Sequence, residues 1–152
     1  MGRKAQFFRA GVGAVVRNDR GEFLVFERAE QRGAWQLPQG GLRRGEEPEV
    51  AVLRELEEET GIRAHAVELL DTYPGWLAYE LPAQWRSKRL GRGQVHRWFL
   101  FRLAASESAI DLHRASAGEF AEWRWIAPAR VADATIEFRR EVYRQLAARW
   151  GG

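Results

Sequence analysis

Three glutamates near the middle of the chain have the spacing of a carboxylate metal site on a helix. Glu55, Glu58 and Glu59 lie at positions i, i+3 and i+4, so their side chains share one face of a helix. Like charges at this spacing repel one another unless cations bind there. Carboxylate oxygens suit Mg²⁺ or Mn²⁺, and Mg²⁺ bridges to substrate phosphates. The spacing indicates a divalent-cation site, and the plain alternative is an acidic helix face in solvent.

The helix that carries these glutamates is predicted to run from about Pro48 to Thr60. Proline suits the first turn of a helix, and Gly61 is placed to end it. Ala51 falls within the arc of the glutamates and is too small to obstruct them. The opposite side is expected to pack on the core through four apolar residues: Val50, Val52, Leu53 and Leu56.

The charge distribution favours a polyanionic ligand. The net charge is +3, yet seven of the 21 acidic residues lie between Glu46 and Glu59, where Arg54 is the one basic residue. An acidic cluster in a basic remainder suits a site that holds cations and attracts phosphates. An arginine-rich genome composition is the alternative source of the basic excess. The absence of cysteine excludes disulfides and thiolate metal sites.

Length and hydropathy lead us to expect one soluble, cytoplasmic domain spanning residues 1–152. No stretch has the eighteen or so consecutive apolar residues that a membrane span needs, and the first ten residues lack the apolar core of a signal peptide. We therefore expect no membrane association. The sequence gives no sign of an obligate protein partner.

The segment around the glutamates is a specific motif. From Gly40 the chain reads GGLRRGEEPEVAVLRELEEETGI, which is Gly40, five residues, Glu46, seven residues and then RELEEETGI. This segment resembles the Nudix box at every defined position. The resemblance implies a pyrophosphohydrolase of the α/β class, an α/β/α sandwich with a central mixed sheet. It also implies Mg²⁺ as cofactor, with Mn²⁺ as the alternative.

The resemblance further implies roles for the residues of the box. Glu55, Glu58 and Glu59 would be metal ligands, and one of them would serve as or position the general base. Arg54 would orient the glutamates, and the Gly40 carbonyl would complete the metal site. Two or three metal ions would polarise phosphoryl oxygens, activate water and neutralise the leaving group.

Further runs resemble the bacterial RNA 5′-pyrophosphohydrolase branch of this family, whose relatives include dinucleoside polyphosphate hydrolases. They are FFRAGVGAVV, WQLPQGG, PGWLAYELP, GQVHRWFLFRL, GEFAEWRWI and FRREVYRQL. On this branch Glu119 matches a further metal ligand or base, and Arg9 matches a phosphate-binding arginine. Phe138 and Arg139 match residues that line the pocket for an RNA base, with Ile136 beside them. A base-stacking arginine is expected at Arg28 or a neighbouring position.

The remaining chain is expected to supply the sheet and a second long helix. The periodicity predicts a hairpin, three later strands, irregular connections and a C-terminal helix. The hairpin covers 10–28, the strands 65–73, 96–104 and 120–128, the irregular connections 29–48 and 74–94, and the helix 135–149. Within 120–126 the even-numbered residues are expected to face opposite to Trp123 and Trp125. With Trp98, these two tryptophans are expected in the core.

Four functions are open at this point. The leading one converts 5′-triphosphate RNA ends to 5′-monophosphate, and the second hydrolyses diadenosine polyphosphates. A nucleotide-pool hydrolase acting on damaged nucleoside triphosphates is a weaker option. A catalytically silent RNA-binding Nudix module is a further one, and the presence of all three helix glutamates counts against it. His65, His96 and His113 lack ligand spacing and are expected to be surface or hydrogen-bonded residues.

Overall fold

The computed structural model describes residues 6–152, so the first five residues of the predicted 1–152 domain lie outside it. Eight strands form one sheet, and helices pack on both of its faces. The strands are β1 (Phe8–Arg17), β2 (Phe23–Arg28), β3 (Gln31–Gln36), β4 (Gln39–Gly41), β5 (Val67–Thr72), β6 (Leu77–Glu80), β7 (Gly93–Leu103) and β8 (Phe120–Ile126). The helices are α1 (Pro48–Thr60), α2 (Val131–Ala134) and α3 (Arg140–Trp150).

The sheet is mixed. β1 and β7 run parallel from Phe8 opposite Gly93 to Arg17 opposite Arg102. The other pairs are antiparallel: β4 and β2 pair with β1, β5 and β6 with β7, and β3 and β8 with β2. The predicted α/β sandwich with a central mixed sheet is confirmed. None of the helices in the described residues combines the length and apolar character needed to cross a bilayer.

Each face of the sheet has its own core, because successive side chains of β1 and β7 point to opposite faces. Toward α1 the core contains Val12, Ala14 and Val16 of β1, Phe99 and Phe101 of β7, and Ala51, Val52 and Leu56 of α1. Toward α3 it contains Val15, Trp98 and Leu100 of the two strands and Val142, Tyr143 and Leu146 of α3. Two apolar faces explain why the central strands read as continuous apolar runs rather than as alternating ones.

Helix α1 has the predicted bounds. Pro48 is at its start, and Gly61 ends it in the left-handed region at φ 77°, with its N–H bonded to the Glu57 carbonyl oxygen. The prediction for Val50 is wrong, since this side chain is 59% exposed. The buried arc of the helix includes Glu59 as well as Leu56, and Val50 lies on the side opposite to that arc at 100° per residue.

Three predicted segments need correction. The 29–48 connection contains β3 and β4, and the 74–94 connection contains β6. Their Gly-, Gln- and Arg-rich composition hides strands that are stabilised by backbone pairing with β2, β1 and β7. The last helix begins at Arg140 rather than Thr135, because Thr135 and Ile136 have extended backbones. The 3₁₀ turn Glu137–Arg139 directly precedes α3.

The predicted facing of β8 is wrong at its first residue. Glu27 pairs with Glu122 and Arg28 pairs with Phe120, so Ala121 is an extra residue at a β-bulge. A bulge reverses the alternation of side chains on its strand. Phe120 therefore stacks on Phe26 at 5.0 Å in the α1-side core, the core against which Trp123 and Trp125 also pack. Trp98 is fully buried as predicted, whereas the other two tryptophans are half-buried.

Candidate active site

One cavity of about 470 Å³ collects most of the predicted site residues. Seven of the ten line it: Arg9, Gly40, Glu55, Glu58, Glu59, Glu119 and Arg139. Arg28, Gln36, Gln39, Gln94 and His96 also line this cavity. Residues from all of β1–β4, from α1 and β7, from the loop before β8 and from the turn before α3 thus meet at one place.

Arg54 lies behind the glutamates rather than in the cavity. Its Nη1 donates to Glu55 Oε1 at 2.8 Å and to Glu58 Oε2 at 3.3 Å. Its Nε and Nη2 donate to the two Glu46 oxygens at 2.8 Å each, and Nη2 also reaches the Gly41 carbonyl at 3.0 Å. These hydrogen bonds lower the pKa of Glu46 to about 2. The guanidinium therefore anchors the α1 carboxylates to the loop before the helix.

Glu59 is the most buried carboxylate of the group. Its side chain is 5% exposed, and the backbone N–H of Gln39 donates to its Oε1 at 2.9 Å. Burial raises its pKa well above the ordinary value, and the negative charges of Glu55 and Glu119 raise it further. The pKa of Glu55 is also raised, mainly by burial. A charge buried in this way is stabilised by a bound cation.

Position 40 requires glycine because the Glu55 carboxylate approaches the backbone closely there. A Cβ atom built at this position would overlap the Glu55 carboxylate. Gly40 pairs with Val12 of β1, and a Cβ at the neighbouring Gly11 would overlap the Gly40 carbonyl oxygen. The two glycines therefore let β1, β4 and the α1 glutamates come together.

Glu119 is brought to the helix glutamates from about sixty residues away in sequence. Its backbone carbonyl accepts from Ala29 N–H at 3.1 Å, and its Oε2 lies 3.3 Å from Arg28 Nη1. The Ala121 bulge directly follows, at the end of the β2–β8 pairing. Bulges commonly re-aim side chains next to active sites. This arrangement joins a fourth carboxylate and an arginine to the cavity.

Of the three residues matched to the pocket for an RNA base, Arg139 lines the cavity and the other two do not. Arg139 lines it, and its Nη1 donates to Gln36 Oε1 at 3.3 Å. Phe138 and Ile136 do not line it; Phe138 packs on Tyr79 and Trp85, with ring centroids 5.3 and 5.5 Å away. The Arg139 guanidinium lies over the Phe138 ring, and its Cζ is 5.1 Å from the ring centroid. Phe138 is therefore a neighbour of the cavity rather than part of its wall.

Sequence reasoning missed a polar network in the cavity. Gln39 Nε2 donates to Tyr79 Oη at 2.9 Å and to Gln94 Oε1 at 3.2 Å, and Tyr79 Oη donates to Gln94 Oε1 at 2.9 Å. The prediction for His96 is wrong: it is 2% exposed, and its Nδ1 has no hydrogen-bond partner among the described residues. No local signal reveals these residues, because the pairing of β4 and β7 with β1 and of β6 with β7 brings them together.

The donor set suits a hard divalent cation, because it consists of carboxylates and a backbone carbonyl. Within residues 6–152, no group of three or more His, Cys, Asp or Glu side chains is placed to hold one metal ion. Arg54 instead bonds to both Glu55 and Glu58. Mg²⁺ needs only one or two protein carboxylates when waters and substrate phosphates complete its shell. The residues present therefore fit such an ion.

Two curated proteins match most of the chain in sequence. The RNA pyrophosphohydrolase of Teredinibacter turnerae is 40% identical over 140 residues, covering 91% of this chain and 82% of that protein. The RNA pyrophosphohydrolase of Saccharophagus degradans is 40% identical over 148 residues, covering 93% and 84%.

Solved structures share the fold. The E. coli dihydroneopterin triphosphate pyrophosphohydrolase superposes with a TM-score of 0.72 at 19% identity, covering 95% of this chain and 99% of that one. A C. elegans Ap4A hydrolase complex superposes with a TM-score of 0.68 at 18% identity, covering 92% and 96%. The model of the NUDIX domain matches residues 7–146, and the chain therefore belongs to the NUDIX domain family.

Proposed function

We propose that this chain is an RNA 5′-pyrophosphohydrolase, a single-domain enzyme that converts 5′-triphosphate RNA ends to 5′-monophosphate. The observation that carries the proposal is the cavity that joins four carboxylates to Arg9, Arg28 and Arg139. Relatives named RNA pyrophosphohydrolase, about 40% identical over nine-tenths of the chain, support RNA as the substrate. This substrate implies a cytoplasmic location.

The carboxylates are the proposed cation ligands. Nudix hydrolases generally use divalent metal ions, and we propose Mg²⁺, with Mn²⁺ as a substitute. Glu55, Glu58, Glu59 and Glu119 would hold it, together with the Gly40 carbonyl. Bound Mg²⁺ neutralises charge on phosphate oxygens and lowers the pKa of a coordinated water. Arg54 keeps Glu55 and Glu58 in place through its charged hydrogen bonds.

Two arginines are the proposed phosphate contacts. Arg9 and Arg28 line the cavity on separate strands, and a guanidinium can form paired hydrogen bonds to phosphate oxygens. In the reaction the oxygen of water bonds to a phosphorus of the triphosphate, and a cavity carboxylate accepts the proton of the water. The anhydride P–O bond at that phosphorus breaks, and pyrophosphate, or phosphate in each step of a stepwise reaction, leaves. Holding the polyphosphate in line with that water is the main contribution of these two arginines.

The base of the RNA is proposed to lie on Phe138, with Ile136 and Arg139 beside it. Trp85 is 43% exposed and edge-on to Phe138. Exposed aromatic rings stack on nucleobases in a sequence-tolerant way. The Arg139 guanidinium over Phe138 also links this surface to the cavity.

Turnover on three substrates under identical Mg²⁺ tests this proposal: a 5′-triphosphate oligoribonucleotide, diadenosine tetraphosphate and free nucleoside triphosphates. The RNA is expected to be preferred. Phe138→Ala should then weaken the reaction of RNA by about tenfold or more, the order expected for losing one stacked base, and should leave a mononucleotide little affected. Equal losses on RNA and mononucleotide in a folded variant would favour diadenosine polyphosphates instead.

A matched control is Trp123→Ala. Trp123 is another half-buried aromatic residue, packed against the α1-side core and absent from the cavity wall. Its replacement should change stability without changing the ratio of the RNA rate to the mononucleotide rate. A similar change in that ratio in both variants would show that the effect of Phe138→Ala comes from general loosening of the fold.

A further inference from the structure

Unpaired polar atoms gather at the active-site cavity. Within residues 6–152, five buried side-chain nitrogen or oxygen atoms have no hydrogen-bond partner. Three of them belong to residues that line the cavity: Gln39 Oε1, His96 Nδ1 and Arg139 Nε. Buried polar groups are normally paired, so each exception calls for an explanation. These three residues surround one cavity, where a bound group would supply the missing partners.

The surrounding contacts fix what two of these atoms can do. Gln39 Nε2 already donates to Tyr79 Oη at 2.9 Å and to Gln94 Oε1 at 3.2 Å. The free side of the amide is therefore its oxygen, which can only accept a hydrogen bond. Arg139 Nε can only donate. Both residues line the same cavity, so the pair places one unpaired acceptor and one unpaired donor at its wall.

His96 adds a neutral imidazole. His96 pairs with Gly11 across the parallel β1–β7 ladder. The centroid of its ring lies 5.6 Å from that of Tyr79 and 5.9 Å from that of Trp98. A Cβ at Gly11 would collide with the imidazole, so the glycine provides room for the ring. Burial and the charge of Arg139 lower the pKa of His96 to about 3. The ring is therefore neutral near pH 7, with one nitrogen that donates and one that accepts.

This set of atoms does not match a phosphate. Phosphate oxygens are acceptors at neutral pH and would face the Gln39 oxygen without a proton between them. The set matches an uncharged group that both donates and accepts. In a nucleotide such groups are the ribose hydroxyls and the amide-like edges of the bases.

We propose that His96 and Gln39, assisted by Arg139 Nε, bind an uncharged donor–acceptor group of the first nucleoside of the substrate, either a ribose hydroxyl or a base edge. This inference rests on the proposed function and makes His96 and Gln39 specificity residues. Both line the cavity. They would therefore recognise the nucleoside by hydrogen bonds beside the phosphates, in addition to its stacking on Phe138.

Three triphosphate oligoribonucleotides test the proposal with one Mg²⁺ concentration: unmodified, 2′-deoxy at the first nucleotide, and abasic at the first nucleotide. The wild type should prefer the unmodified RNA by about three- to tenfold in kcat/KM, the effect of one neutral hydrogen bond. His96→Leu should lower kcat/KM on the unmodified RNA by the same factor and leave the analogue that lacks the bound group unchanged. If His96→Leu leaves kcat/KM on the 2′-deoxy RNA unchanged, the bound group is the 2′-hydroxyl. If it leaves kcat/KM on the abasic RNA unchanged, the bound group belongs to the base.

His65→Leu is the matched control, because His65 is exposed in the turn before β5 and does not line the cavity. It should leave all three rates unchanged. If thermal melting shows that His96→Leu is unfolded, Gln39→Met provides the same comparison. Equal wild-type rates on the three RNAs, or an equal loss on all three in the folded variant, overturn the inference alone. Hydrolysis of diadenosine tetraphosphate without any RNA hydrolysis overturns the proposed function and the inference together.

Discussion

Glu59→Gln is expected to stabilise the metal-free protein although Glu59 belongs to the proposed site. The Glu59 side chain is buried, and its neighbours include the negative charges of Glu55 and Glu119. The one hydrogen bond that it accepts within residues 6–152, from Gln39 N–H at 2.9 Å, can be kept by a glutamine oxygen. The substitution therefore removes an insufficiently paired buried charge at little cost in packing.

The gain should depend on pH in a defined direction. The folded-state pKa of Glu59 is raised above its ordinary value of 4.5. The stability contributed by this carboxyl is fully present below about pH 4.5 and is lost as pH rises through the folded-state pKa. At pH 8 the buried carboxyl should cost roughly 1–3 kcal/mol of stability relative to pH 4.5. For a chain of this size that cost corresponds to about 2–12 °C in Tm.

Thermal unfolding in EDTA, followed by circular dichroism from pH 4.5 to 8, measures this difference. Glu59→Gln should melt above the wild type at pH 8 and near it at pH 4.5. Glu57→Gln, an exposed position on the same helix, should match the wild type throughout. Added Mg²⁺ should raise the Tm of the wild type more than that of Glu59→Gln. A Glu59→Gln protein that melts at or below the wild type at pH 8 would refute the reasoning.

Three further predictions concern single side chains. Glu58→Gln should lower turnover with Mg²⁺ by several powers of ten at an unchanged melting temperature, and near-wild-type rates would remove Glu58 from the mechanism. Glu119→Ala should cut turnover by at least about tenfold with the Tm close to wild type, whereas lost stability with full activity would make it structural. Tyr143→Phe should lower the free energy of unfolding in urea by about 1–3 kcal/mol, because the buried Leu37 N–H donates to Tyr143 Oη at 2.9 Å. Unchanged urea stability would show that Leu37 N–H finds another partner.

Local sequence signals predicted the elements that depend on local physics. The bounds of α1 follow from Pro48 at its start and from Gly61, which adopts the left-handed conformation. The first hairpin was equally visible, since the segment between β1 and β2 contains Gly21 at φ 77° and the Asn18 side chain accepts from two backbone N–H groups of the turn. The shared face of Glu55, Glu58 and Glu59 could be predicted for the same reason, because residues at i, i+3 and i+4 share a face in any helix.

Features that depend on long-range pairing could not be predicted from the sequence alone. The bulge at Ala121 comes from the pairing of β8 with β2, and it reverses the side on which Phe120 lies. The burial of His96 comes from its register opposite Gly11 in a strand about eighty-five residues earlier. The roles predicted for Glu119, Arg9 and Arg139 rest on the family resemblance. Their meeting at one cavity depends on the folded sheet.

The end group of the RNA provides the most direct test of the central claim. Mass spectrometry of a 5′-triphosphate oligoribonucleotide, incubated with the wild type and Mg²⁺, is expected to show a 5′-monophosphate product. EDTA should abolish the conversion, and Glu58→Gln should slow it by several powers of ten. An intact triphosphate after incubation with a folded wild-type protein that hydrolyses diadenosine tetraphosphate would contradict the account. Conversion at the same rate in EDTA would contradict it equally.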